Sequence, residues 1–339
     1  MDDIAMIGAG ISGLTCARSL ADAGCNVVVF EKSRGLGGRV ATRRTDLGNS
    51  HLTIVDHGAQ YFTVRDERMA EAVERWRQCG VVALWEGKIG VSAEGTLSDS
   101  LPPVERWVGT PTMSAIGKFV AHGLDVRLDT RVARLDRTDG RWQLFDEEGR
   151  SLGQFATVLS CAPPAQSAAL LLTALQANEK GGVGRLLDKV QQAKMTPCWA
   201  VAVTFEERLP VAYDGLFVSQ LPLSWLARDS SKPGRGDFET WVLHASAGWS
   251  RENEELPADS VVDQLIRALW QATGAIPCAP RHVFAHRWRF AAPVEPLLEP
   301  HLFDLLEGLG CCGDWCGGPR VEGAYLSGLS LAKAVLTTS

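Results

Sequence analysis

A short apolar run near the start of the chain, Ile4-Ala5-Met6-Ile7, ends at Gly8. Four apolar residues without polar alternation fit a parallel strand covered on both faces. The period then changes. Ile11, Leu14, Ala17, Leu20 and Ala21 recur at helical spacing as far as Gly24, which supplies a C-terminal stop. Val27-Val28-Val29-Phe30 is a second apolar run. Strand, helix and strand in that order predict a βαβ unit with a right-handed crossover.

Helical spacing returns over residues 68–79 and 114–122. Between them, up to Pro103, the chain is rich in Gly, Ser and Pro and reads as loop. Residues 126–128, 132–137 and 142–145 read as strands, the last two joined by a turn at Asp139-Gly140. Residues 157–160 form another buried strand, and Ala162-Pro163-Pro164 breaks the chain where it crosses between domains. From about 165 to 299 the texture differs. Residues 199–205, 239–244 and 283–290 favour strand, and 257–272 form an amphipathic helix. Strands alternating with loops predict an antiparallel sheet here. A Gly-rich loop follows residues 310–314, and a helix covers 323–336. The expected fold class is α/β. A Rossmann-like nucleotide domain is built from residues 1–64, 109–164 and 300–339, with an inserted, mostly antiparallel β substrate domain from 65–108 and 165–299.

Composition narrows the classes. A chain of 339 residues exceeds what one core usually holds, so two domains around a cleft are expected. A net charge of −6 without a dense Lys/Arg block argues against nucleic acid and against an acidic membrane surface as partners. No apolar run reaches the ~20 residues of a membrane span. Met1-Asp2-Asp3 is acidic where a signal peptide would be basic. The nine cysteines are odd in number and show neither a disulfide framework nor paired C-x-x-C elements. Reduced thiols, a cytoplasmic location and no metal are the expectation.

Four motifs carry chemistry. In Gly8-Ala9-Gly10-Ile11-Ser12-Gly13, the glycines allow a tight turn, close approach of a pyrophosphate, and close helix–strand packing. Glu31, eighteen residues after Gly13, stands where an acid grips an adenosine ribose. Arg34-Gly35-Leu36-Gly37-Gly38-Arg39 is a second Gly-rich loop, suited to the longer stem of a flavin, with Arg39 available to the diphosphate. Asp56-His57-Gly58-Ala59-Gln60-Tyr61-Phe62-Thr63 sets polar side chains around one glycine. It reads either as a site or as a strand–turn with a buried Tyr. The fourth motif runs from Gly313 to Ala324. Asp314 can accept from ribityl hydroxyls, and Val321-Glu322-Gly323-Ala324 opens a helix whose N–H groups would face the pyrimidine edge of a flavin.

Motifs one, two and four together resemble the flavin-containing amine oxidase superfamily. Asp56 to Phe62, the run Trp225-Leu226-Ala227-Arg228-Asp229-Ser230-Ser231-Lys232-Pro233-Gly234-Arg235, His244-Ala245-Ser246 and His286-Arg287-Trp288-Arg289 narrow this. With them the chain is similar, over essentially its whole length, to the renalase family in its bacterial form. The resemblance implies a p-hydroxybenzoate-hydroxylase-like FAD domain and non-covalent FAD. It further implies oxidation of the 2-dihydro and 6-dihydro isomers of NAD(P)H to NAD(P)+. Hydride would pass to flavin N5, and O2, as electron acceptor, would yield hydrogen peroxide.

On this reading the cofactor contacts are Gly8, Gly10, Ser12, Gly13, Glu31, Lys32, Gly38, Arg39, Asp56, Val132, Asp314, Arg320, Val321, Glu322 and Ala324. Tyr61, His244 and Trp288 line a slot for a flat ring and orient it without transferring protons. His57 and Gln60 contact a carboxamide or ribose, with Gly58, Ala59 and Trp225 beside them. Trp288 and His244 also fit the core. Arg185, after Gly181-Gly182-Val183-Gly184, either meets a substrate phosphate or is a solvated loop residue, and Lys232 and Arg235 are open to the same two readings. Rival functions are an amine oxidase, a desaturase or porphyrinogen oxidase, and a flavin-binding signalling protein without turnover.

Overall fold

The first apolar run is β1 (Asp3–Ile7), the helical run α1 (Ile11–Asp22), and the second apolar run β2 (Asn26–Phe30). β1 and β2 pair in parallel, as expected. These elements belong to a computed structural model that describes residues 3–46, 52–100, 102–175, 181–219 and 222–337. A hairpin of β3 (Thr42–Asp46) and β4 (Leu52–Asp56) leads to α2 (Glu67–Gln78). The stretch expected as loop holds β5 (Val82–Leu84), β6 (Ile89–Ala93) and β7 (Thr96–Asp99), and β8 (Trp107–Gly109) follows it. α3 (Ser114–Ala121) and β9 (Asp125–Arg127) follow. Next come a meander of β10 (Arg134–Thr138), β11 (Arg141–Phe145) and β12 (Ser151–Phe155), and then β13 (Thr157–Ser160). The turn at Asp139-Gly140 has positive φ at both residues, the geometry that tight hairpins favour.

The next stretch begins with two helices, α4 (Pro164–Ala174) and α5 (Gly182–Gln192). β14 (Met195–Phe205), β15 (Gly215–Ser219), β16 (Leu223–Arg228) and β17 (Glu239–Ala245) come next. α6 (Ala247–Glu252), α7 (Ala258–Thr273) and β18 (His282–Pro293) follow, and β19 (Leu302–Asp304), β20 (Leu309–Cys311) and α8 (Arg320–Leu336) complete the order. Regular helices between 164 and 192 correct the expectation that, apart from the helix over 257–272, this stretch holds strands and loops. Val183, Leu186, Leu187 and Val190 recur at helical spacing and bury against the meander with Leu170 and Leu171 of α4. The supposed Gly181–Gly184 loop is the cap and first turn of α5.

Among the described residues, one sheet runs β19-β20-β13-β1-β2-β9. It is parallel except for the β19–β20 pair. Alternate side chains cover opposite faces: Ile4 and Met6 join the core with α1, α3 and α8, while Ala5 and Val28 face the meander and α4. The second sheet runs β18-β14-β17-β16-β15-β6-β7 and is antiparallel apart from β6 beside β15. Its outer face packs on α7 through Val261, Leu265 and Leu269. The other face turns toward the nucleotide half, where the site lies. No helix among the described residues is long and apolar enough to cross a membrane.

Helix α8 seats on α1 because Gly328 has no side chain: a Cβ there would lie 2.3 Å from the Ser12 carbonyl oxygen. Gly328→Ala should therefore push the two helices apart and cost about 1–3 kcal/mol in a urea titration. Gly248→Ala, whose Cβ would meet nothing within 4 Å, should leave stability unchanged or raise it by about 0.5–1 kcal/mol, because a helical glycine is replaced.

Candidate active site

Two Gly-rich loops meet at the tip of the parallel sheet. Gly8 has φ +104° and its N–H donates to the Phe30 carbonyl at 2.8 Å. A Cβ on Gly13 would sit 2.1 Å from the Gly8 oxygen, so only glycine lets α1 start this close to β1. A Cβ on Gly10 would meet nothing within 4 Å, and no side chain caps α1 there. The helix N-terminus thus faces open space with free donors, the arrangement that receives an anion. Gly37 donates to the Ala9 carbonyl at 2.8 Å, and a Cβ on Gly38 would lie 3.2 Å from Gly10. Glu31 is buried, and its two carboxylate oxygens accept from the N–H groups of Ala9 and Ser33, each at 2.8 Å. Ser12 is buried in the first turn of α1.

Arg39 and Asp314 form a bidentate pair, 2.7 Å for each bond, and Arg39 also donates to the Ala291 carbonyl at 3.0 Å. The second Gly loop, the segment before α8 and the end of β18 therefore meet at one guanidinium. At the start of α8, Val321 and Ala324 are buried and Arg320 is exposed with φ +83°. Glu322 turns the other way: its Oε1 accepts from the N–H groups of Arg65 at 2.6 Å and Asp66 at 2.9 Å, fixing the entry to α2. Lys32 is exposed and donates to Gln166 at 3.1 Å, and Val132 lies in the core under the meander.

Residues 56–62 are held from beneath. Asp56 is fully buried and accepts from Thr42 Oγ1 at 2.6 Å, Met113 N at 3.0 Å, Arg235 Nε at 3.1 Å and Arg235 Nη2. Lys232 donates to Asp229 at 2.6 Å and to Gln60 Oε1 at 2.9 Å, while Gln60 Nε2 donates to the carbonyls of Asp56 and Gly58. Asp56, expected at the cofactor, and Gln60, expected at the substrate, are thus placed in a buried joint with β16 and the turn after it. The physical reason is the burial of two cations, each of which requires a carboxylate. Lys232 and Arg235 themselves are neither solvated nor facing the groove.

Above this joint the candidates gather. The His57 ring stacks on Trp288 at 5.1 Å and meets His286 edge-on at 4.8 Å. The His57 carbonyl accepts from Trp288 Nε1 at 3.0 Å and lies 3.3 Å from His244 Nε2. A Cβ on Gly58 would lie 2.1 Å from the Arg39 oxygen, and Ala59 donates to that same oxygen at 2.8 Å. Tyr61 packs against Trp225 at 5.4 Å and Trp85 at 6.2 Å, with the Arg106 guanidinium 5.2 Å over its ring. Trp288 and His244 are half-buried rather than core residues. Burial pushes His57 and His244 down to about 4, helped by His286 and Arg43 at His57 and by Lys232 at His244. Both are neutral imidazoles near pH 7. Arg185 is not part of this group: it is exposed on α5 and pairs with Asp304 at 3.2 Å. Trp85 and Arg106 were not singled out from the sequence, and Asp229 and His286 stood only within the runs that carry the resemblance. Trp85 lies in the stretch that read as loop, and Arg106 lies just after it.

Residues 110–336 match the family described as flavin containing amine oxidoreductase, and residues 6–76 match an NAD(P)-binding Rossmann-like domain. The chain belongs to the flavin-containing amine oxidoreductase family. It is 31% identical over 125 residues to the carotenoid phi-ring synthase of Streptomyces griseus, covering 35% of this chain and 22% of that protein. It is 44% identical over 61 residues to the flavin-containing amine oxidase A of Bos taurus, covering 18% and 11%. The matched stretches thus span about a fifth or less of those relatives. Cyclohexylamine oxidase from Brevibacterium oxydans superposes with a TM-score of 0.72 at 14% identity, over 99% of both chains. A reduced UDP-galactopyranose mutase superposes with a TM-score of 0.77 at 10% identity, over 100% of this chain and 96% of the other. At such identities the shared property is the fold. A flavin cofactor and oxidoreductase chemistry follow from the family. The chain's residues fit a flavin: the uncapped α1 N-terminus, the open space at Gly10 and the two abutting Gly loops form a cradle that a side chain would fill.

Three outcomes follow. Asp56→Asn should leave the Arg235 charge uncompensated in the interior and cost about 3–5 kcal/mol. Asp304→Asn, opposite exposed Arg185, should cost at most about 1 kcal/mol in the same urea titration. With folded pKa values near 4 against 6.5 for the free side chain, His57 and His244 leave stability untouched above about pH 7. As pH falls through the window from 6.5 to 4, the unfolded chain takes up protons that the folded chain refuses, and stability is lost. Urea midpoints between pH 7.5 and 4.5 should fall accordingly.

Proposed function

We propose that the chain is an FAD-dependent oxidase of the 2-dihydro and 6-dihydro isomers of NAD(P)H, a renalase-type enzyme holding FAD without a covalent link. The observation that carries this reading is the make-up of the slot around residues 57–61. Its walls are flat rings, the imidazoles of His57 and His244 are neutral, and the nearby carboxylates Asp56 and Asp229 are locked in ion pairs. Such a slot suits a donor that needs positioning and no base. A dihydropyridine is that donor, because losing hydride makes its ring aromatic.

Bound FAD supplies the hydride acceptor, and dioxygen takes the electrons on, so that NAD(P)H isomer, O2 and a proton give NAD(P)+ and hydrogen peroxide. For its binding, the α1 N-terminus and the Gly8–Gly13 loop would hold the diphosphate, Glu31 the adenosine ribose, and Arg39 with Asp314 the ribityl stem. Tyr61, Trp288 and His244 would orient the substrate ring toward that acceptor. The His57 carbonyl fixes Trp288 and His244 relative to each other. An amine substrate fits less well, since a cationic amine would have to enter a region whose burial already keeps the imidazoles neutral, with Arg43 and Lys232 adding like charge nearby.

Anaerobic mixing with the two isomers should bleach the visible flavin band quickly, while ordinary 4-dihydro NADH and a panel of amines should not. Bleaching by amines alone would replace this reading with amine oxidation, and a lack of response to every donor would leave a flavin-binding protein without turnover. Tyr61→Ala should slow bleaching by the isomers about a hundredfold at saturation, since misplacement of a donor by an ångström has that effect.

A further inference from the structure

Among the buried cations, Arg228, Lys232 and Arg235 each face a carboxylate. Arg106 does not. It is 9% exposed, its Nε has no hydrogen-bond partner, and Nη1 donates only to the carbonyl of Val104 at 3.0 Å. No acidic side chain among the described residues pairs with it. A guanidinium cannot escape burial by losing its proton, so an unpaired one is costly wherever water is excluded. The cost makes sense if a ligand brings the missing negative charge.

The location agrees. Trp107, the next residue, exchanges backbone hydrogen bonds with Phe62 at 2.8 and 2.9 Å, which puts the Arg106 guanidinium over the Tyr61 ring. On the same ring lies Trp225, 7% exposed, whose indole N–H is also buried without a partner. Two unsatisfied donors, one from the segment just before β8 and one from β16, therefore both pack against the Tyr61 ring at one wall of the slot. Both can donate and neither can accept, so the complementary ligand carries acceptor oxygens. The planar fork of Arg106 suits a phosphate in particular.

We propose that Arg106 recognises a phosphate oxyanion of the substrate, with Trp225 Nε1 donating to an oxygen of the same molecule. The identity of that anion as the diphosphate of a pyridine nucleotide rests on the function proposed above; the need for an anion does not. Arg106 would then select against neutral and cationic substrates whose rings are otherwise suitable for the slot.

The flavin-loaded protein can be titrated with NAD+, sodium pyrophosphate and uncharged nicotinamide, reading the shift of the flavin spectrum. R106M should weaken NAD+ and pyrophosphate by about tenfold or more relative to nicotinamide, and R106K should recover part of the loss. Added salt should weaken NAD+ binding to the wild type more than to R106M. Should R106M fail to accumulate, R106K, which keeps the charge and loses the fork, carries the comparison. Equal NAD+ affinity in wild type and R106M, with the isomers still bleaching the flavin, would overturn the Arg106 proposal and leave the nucleotide reading intact. Arg106-dependent pyrophosphate binding, with no bleaching by any dihydropyridine, would uphold the anion site and discard the nucleotide reading. Loss of flavin from R106M and R106K with the charged-to-uncharged affinity ratio unchanged would assign Arg106 to the cofactor and also overturn the proposal.

Discussion

Two cations from one turn, Lys232 and Arg235, are buried against Asp229 and Asp56. That pairing is the constraint on which the site depends. Asp56 ends β4 and accepts from Met113 N at the start of α3, and Asp229 follows β16 of the antiparallel sheet. Neither cation can be left without its acid at low cost; Lys232 and Asp229 pair within the turn itself, and Arg235 to Asp56 is the bond that ties this turn to β4. Gln60 completes the lock by joining Lys232 to the carbonyls of Asp56 and Gly58. The chain between 57 and 61 then has little freedom, and His57 and Tyr61 are presented at fixed points. Arg39 repeats the device at the other side of the groove, tying Asp314 to the end of β18.

The same charges set the chemistry available. With the carboxylates engaged and burial holding the imidazoles near 4, the slot offers rings, backbone carbonyls and N–H donors, and no strong base near neutral pH. Shape and orientation are what remain to it. A site of this kind accelerates reactions whose barrier lies in alignment, and hydride transfer from a ring that becomes aromatic is one.

The nucleotide half was legible because its chemistry is local. Gly8, Gly10 and Gly13 with Glu31 serve a phosphate and a ribose within one βαβ unit, and the apolar periods on either side are unambiguous. The helices α4 and α5 were missed because Pro163-Pro164 and a run of glycines read as breakers, although here they start helices. β6 was missed because Gly90 and Ser92 give no apolar run, and its partner β15 lies far along the chain. Asp56 and Gln60 were assigned to ligands because a polar side chain in a Gly-containing motif looks alike whether it faces a ligand or a buried Arg 179 residues away. The Ser-Ser-Lys-Pro-Gly-Arg run, the most distinctive stretch of the sequence, supplies the joint instead of the slot.

The most direct test of alignment without acid–base catalysis is the anaerobic rate of flavin bleaching by a dihydropyridine isomer, measured across pH with hydrogen or deuterium at the reacting carbon and in light or heavy water. The account predicts a slower rate with deuterium on carbon, no effect of heavy water, and a flat profile from about pH 5 to 8, above the titration of His57 and His244. A solvent isotope effect together with an ionisation near neutrality would contradict it, because some group in the slot would then be moving a proton in the step that sets the rate.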